Sequence, residues 1–154
     1  MRLALFQPDI PQNAGTMLRL AACLGVAVDI VEPAGFPVSD RAFRRAGLDY
    51  LDHVEIVRHA SFAAFEQARR GRLVLLTTKA ATSFLEVEHL PDDVLMVGRE
   101  SAGAPDEVHA VADLRIAIPM RPGLRSLNVA VAAAMVLTEA LRQTGGFPSM
   151  APER

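Results

Sequence analysis

The chain has 154 residues, 51% of them hydrophobic, a formal net charge of −2 and a single cysteine, Cys23. That length suits one domain, residues 1–154, with a core of its own, and the near-neutral charge gives no global nucleic-acid signature. One cysteine excludes an internal disulfide and fits a reducing, cytoplasmic setting; no apolar run can span a bilayer, and Met1 leads directly into a strand-like segment, so no signal peptide is expected.

In chain order, "RLALFQP" reads as a strand stopped by Pro8 and Pro11. "NAGTMLRLAACLG" reads as a helix with Asn13 near its N-cap and Gly25 past its end, with Cys23 a small buried residue of that helix. "AVDIVEP" is a strand closed by Pro33. "SDRAFRRAG" is a short helix, capped by Ser39 or Asp40 and stopped at Gly47. "HVEIVR" is a strand, and "SFAAFEQARRG" a helix capped by Ser61. "RLVLLTT" and "VLMVG" are strands, "APDEVHAVA" a short helix and "LRIAIPM" a strand. Residues 126–144 form the last helix, and the final residues fray. Alternation of this kind predicts an α/β fold: a mainly parallel sheet with helices on both faces.

Two of these strands run straight into loops rich in glycine or proline, "VGRESAGAP" and "IPMRPGLRSLN". Glycine lets a ligand approach the backbone closely, so two such loops at strand ends suggest one nucleotide-like site. Neither G-x-G-x-x-G after the first strand nor a P-loop is present. The four histidines have no ligand-like spacing, so no metal site is expected. Of 16 basic residues only Lys79 is lysine, and the arginines bunch at 41, 44, 45, at 69, 70, 72 and at 121, 125. Arginine's fork suits phosphate, although an Ala/Arg-rich composition also yields solvated arginines.

The ordered set "QPDIPQNAGTMLRLA", "EPAGF", "RRAGLDY", "LTTK", "VGRESAGAP" and "IPMRPGLRSLNVA" resembles the SPOUT superfamily of RNA methyltransferases. Within it, the chain is similar to the small tRNA wobble-nucleotide (cytidine/uridine) 2′-O-methyltransferases. The resemblance covers nearly the whole chain. It implies a homodimer, a deep C-terminal trefoil knot, and S-adenosylmethionine as methyl donor with S-adenosylhomocysteine as product. It further implies methylation of the ribose 2′-hydroxyl of the wobble nucleotide in tRNA anticodons, in the cytoplasm, without membrane or metal.

Carried onto this chain, the resemblance assigns the cofactor to Leu76, Thr77, Gly98, Glu100, Ile118, Met120, Ser126 and Leu127. The residue chemistry agrees, since an adenine needs a flat apolar slot with a polar rim. The resemblance gives Arg19, Glu100 and Asn128 as the catalytic set. An arginine is no proton acceptor, so Arg19 is read as an anchor for phosphate or the developing alkoxide, reaching the cofactor of a partner chain. Arg41, Arg44, Arg45, Arg121 and Arg125 are the RNA-binding set. The chain departs from the family pattern at Thr16, Arg99, Ala102 and Ala130. Methylation at another RNA position, or binding without catalysis, stays open as an alternative.

Overall fold

A computed structural model describes residues 1–37 and 41–152. The elements follow in order: β1 (Arg2–Phe6), α1 (Pro11–Leu24), β2 (Ala27–Val31), α2 (Arg41–Gly47), a 3-10 helix (Leu48–His53), β3 (Ile56–His59), α3 (Phe62–Ala68), β4 (Leu73–Leu76), β5 (Val94–Val97), α4 (Asp106–Val111), β6 (Leu114–Ile116) and α5 (Val129–Thr144). The six strands form one sheet in the order β3-β2-β1-β5-β4-β6, and every pairing is parallel.

A parallel sheet needs helical cover on both faces, which is why β1 and β5 read as unbroken apolar runs. Alternation along β1 divides the core. Leu3 and Leu5 face Met17, Leu18 and Ala21 of α1 and Ala133, Leu137 and Ala140 of α5. Ala4 and Phe6 face Phe65 of α3 and Val108 of α4. The long helices therefore lie on one face with α2, the two short ones on the other.

Several local expectations change. Helix α1 begins at Pro11, with Ile10 as a cap that offers no side-chain bond; proline fits the first helical turn because its missing N–H has no partner there in any case. Asn13 is thus inside the helix, not at its cap. The buried stripe of α1 is Ala14, Met17, Leu18 and Ala21, a period that turns Cys23 outward, and the cysteine is exposed. Helix α5 starts at Val129 with Asn128 as cap, three residues later than the sequence pattern suggested. Ser61 caps α3 as expected, its Oγ accepting from the Ala64 N–H at 3.1 Å. The expected caps Ser39 and Asp40 lie outside the described residues. The 3-10 helix had no sequence counterpart.

Candidate functional site

The chain runs outward from β1 through β2 to β3, then returns on the other side of β1 as β4, β5 and β6. Strand β1 continues into α1 on one face of the sheet, and β5 continues towards α4 on the other. Loops leaving neighbouring strand ends in opposite directions open a crevice at the carboxyl edge. A cleft of about 540 Å³ lies there.

Three loops build it. Leu76 and Thr77 come from the end of β4, residues 98–104 follow β5, and Ile118, Met120, Ser126, Leu127 and Asn128 come from the connection between β6 and α5. All eight residues expected at the cofactor line this one cleft. Leu76 and Ile118 also pack on the main core, which fixes the apolar side of the slot. Asn128 accepts from the Ala130 and Val131 N–H groups with Oδ1, and donates from Nδ2 to Asn13 Oδ1 at 3.0 Å. The start of α1 is thereby joined to the start of α5 beside the cleft.

Gly98 has a different reason from the expected one. A Cβ there would fall 2.5 Å from the Ala104 nitrogen and 2.6 Å from the Gly103 carbonyl carbon. Glycine is needed for the loop to close on itself, through paired backbone bonds between Arg99 and Gly103, before any ligand arrives.

The acidic corner of the cleft is shared with the β1–α1 loop. Glu100 lines the cleft, and its carboxyl is pushed above the usual range, first by burial and then by the neighbouring Asp9. Asp9 is held down to about 2, chiefly through its contact with Glu100 and then by Ser101 and Arg99.

Arg19 does not line the cleft. It lies exposed on α1 with its guanidinium 4.7 Å from the centre of the Tyr50 ring. Six residues beyond Asn13, it stands roughly 9 Å further along the helix. Arg41, Arg44 and Arg45 project from α2, and Arg121 and Arg125 from the cleft's third loop; all five are exposed. Lining residues that sequence reasoning had not assigned include Asn13, Lys79, His109 and Ala132. Asn13 and Lys79 both stood inside recognised motifs, Asn13 read as a cap and Lys79 given no role; nothing local in the sequence pointed to His109 or Ala132. Among the described residues, no group of three or more His, Cys, Asp or Glu could hold a metal, and no helix is long and apolar enough to cross a membrane.

An open parallel sheet with a loop-built cleft at its carboxyl edge defines an α/β enzyme of the nucleotide-binding kind. Residues 1–138 match the model of the SpoU rRNA Methylase family, and the chain belongs to that family. It is 67% identical over 148 residues to a tRNA (cytidine(34)-2′-O)-methyltransferase of Beijerinckia indica, covering 94% of this chain and 92% of the relative. The enzyme of that name from Escherichia coli K12 is 39% identical, over 94% of both chains. A solved structure described as giving insight into the 2-OH methylation of C/U34 on tRNA superposes with a TM-score of 0.88 at 43% identity, covering 92% of this chain and 94% of that one. The SpoU methyltransferase AviRb of Streptomyces viridochromogenes, solved with AdoMet, superposes at 0.82 with 26% identity, covering 93% of this chain and 60% of its own.

Proposed function

We propose that this chain methylates the ribose 2′-hydroxyl of the wobble nucleotide, cytidine or uridine 34, in tRNA, using S-adenosylmethionine, and that it works as a homodimer in the cytoplasm. The observation that carries the reading is the convergence of loops from the ends of β4, β5 and β6 on one cleft. Relatives named for this reaction, at up to 67% identity among those compared, support it.

The residues of the cleft fit the cofactor. Leu76, Ile118, Met120 and Leu127 form an apolar slot for an adenine, and Thr77, Ser126 and Asn128 give it a polar rim. S-adenosylmethionine would supply a methyl group on a positively charged sulfur, which suits the acidic corner at Glu100. The chain's own residues must orient the ribose hydroxyl and take its proton.

Arg19 does not line the cleft of its own chain and lies against Tyr50 instead, which supports a site completed by a second copy. Leu124, Leu127, Val131 and Met135 are 69%, 40%, 51% and 40% exposed, an apolar strip on and before α5 that fits burial against that copy. The exposed arginines of α2 and of the 121–125 loop are the phosphate contacts in this reading. The C-terminal third is read as a trefoil knot. Supporting this, the β4–β5 connection is bonded both to Ala117, beyond β6, and to Gln143, near the end of α5.

The test is a tritiated-methyl assay on bulk tRNA followed by nucleoside analysis. The expected product is 2′-O-methylcytidine or 2′-O-methyluridine at position 34 alone. Label at another nucleotide would reassign the substrate, and S-adenosylhomocysteine binding without transfer would leave a binding protein.

A further inference from the structure

The β1–α1 loop brings one carboxylate, Asp9, against the β5 loop on several sides. The Asp9 N–H donates to Glu100 Oε2 at 3.2 Å, and the Glu100 N–H donates to Asp9 Oδ1 at 3.1 Å. Ser101 Oγ donates to Asp9 Oδ2, and Arg99 Nε stands 3.7 Å from that oxygen. From behind, Gly35 packs so closely that a Cβ there would lie 2.9 Å from Asp9 Cβ. Its N–H also donates to the Pro8 carbonyl at 2.8 Å. The loop opens at Gln7 with φ of 41°, a left-handed conformation uncommon outside glycine, of the kind that clusters at functional sites. Asp9 is therefore fixed by its surroundings and has little freedom to turn away.

Glu100 is placed differently. Its Oε2 accepts from the loop, whereas Oε1 is buried with no hydrogen-bond partner. A buried oxygen without a donor calls for an explanation, and this one belongs to a residue that lines the cleft. Two carboxyls in contact do not both ionise readily. Asp9, with more donors, keeps the charge and sits at about 2, while burial and the Asp9 anion push Glu100 up. Environments that drive two carboxyls apart divide the acid–base roles between them.

We propose that Asp9 is a positioning residue that holds Glu100 at the cleft wall, and that the unpartnered Oε1, buried in this structure, turns toward a bound ribose to take the proton of its 2′-hydroxyl. The inference rests on the methyltransferase reading above. As the bond between the 2′-oxygen and the methyl carbon forms, the bond from methyl to sulfur breaks and leaves a neutral thioether. The hydroxyl proton passes to Glu100, and Asp9 remains an anion throughout. Arginine cannot take this proton, so the anchoring role of Arg19 and the accepting role of Glu100 do not compete. The charged and titratable groups facing Glu100 are Asp9 and Arg99 on the loops that hold it, with Lys79 and His109 elsewhere on the cleft wall.

The test compares the wild-type protein with Asp9→Asn and Glu100→Gln. Asparagine keeps an acceptor for the Glu100 N–H and removes the charge. Glu100 then becomes easier to ionise and a weaker base. The carboxyl carbon resonance of Glu100 in the free protein should titrate at lower pH in Asp9→Asn. The acid limb of kcat/KM should move the same way, and kcat should fall about tenfold. The KM for tRNA and the affinity for S-adenosylhomocysteine should stay within about twofold, since neither binding surface changes. Glu100→Gln should abolish transfer while lowering the affinity for S-adenosylhomocysteine far less than kcat, because glutamine keeps the shape of the side chain and one acceptor oxygen. An unchanged Glu100 titration in Asp9→Asn, a loss of activity that merely follows lost binding, or a Glu100→Gln enzyme with substantial kcat would each overturn the proposal. A wild-type protein that transfers no methyl group to tRNA would instead overturn the methyltransferase reading, and the carboxyl titration would still report on the pair by itself.

Discussion

Asp29 is a charged residue in the middle of β2, 5% exposed, and it survives there because it is fully paired. Its Oδ2 accepts from Arg2 Nε at 2.7 Å, and its Oδ1 accepts from Arg2 at 3.2 Å and lies 2.8 Å from His59 Nε2. Removing Asp29 leaves His59 buried without its partner and leaves Arg2 with Glu55 alone. Asp29→Ala is expected to destabilise the fold by about 3 kcal/mol, read as a lower urea midpoint with an unchanged slope. The same variant should bind S-adenosylhomocysteine normally once folded, because the cluster lies away from the cleft. At this scale the sequence was a partial guide. A lone Asp between Val28 and Ile30 is visible as an anomaly, but its partners sit 27 and 30 residues away, and no local spacing connects them.

At the scale of elements, α5 depends on Asn128. Its Oδ1 satisfies two N–H groups at the helix start, and its Nδ2 reaches across to α1. Asn128→Ala is expected to cost about 1 kcal/mol through the lost cap, measured by thermal unfolding. Asn128→Ser should recover most of that loss, since a serine oxygen also caps, yet it is too short to hold Asn13. If methyl transfer stays low in the serine variant while stability returns, the amide acts at the cleft as well as at the helix end. Equal recovery of both would reduce Asn128 to a cap. The strands were easier to read than the helix starts. β4 and β5, and β1 after Arg2, are short apolar runs bounded by proline, glycine or charge, whereas α1 and α5 begin within polar stretches where several residues could cap. For α5 the bonds across to α1 select Asn128.

At the scale of the molecule, the expectation is a dimer with shared sites. Arg19 lies about 9 Å along α1 from the cleft-lining Asn13, and a second copy offers the way to bring such an arginine to the reacting hydroxyl. Ala132 lines the cleft from the first turn of α5, so Ala132→Phe should fill the slot and block S-adenosylhomocysteine binding. It tests the cleft better than a change at Gly98, which would push on the loop's own backbone. Arg19→Ala should lose activity and keep cofactor binding. Unfolding and refolding an equal mixture of the two inactive variants should give half heterodimers, each with one intact site, hence about a quarter of wild-type activity. No recovery in heterodimers verified by mass, or a monomer in sedimentation at working concentration, would remove the shared-site model.

The amino-acid sequence by itself determined the class of fold, because apolar runs of strand length alternating with helical periods leave few arrangements other than a covered parallel sheet. It also determined the stretches that form the cleft, because strand ends followed by glycine and proline are local features. Tertiary structure decided what those stretches touch. It placed β5 between β1 and β4, which brings residues 76–79, 98–104 and 117–128 together although the chain separates them. It set Asp9 against Glu100 across 91 residues, turned Cys23 to solvent, and gave Gly98 a packing reason. Periodicity acts over a few residues, whereas strand order and loop-to-loop contact depend on how the whole chain returns to its own sheet.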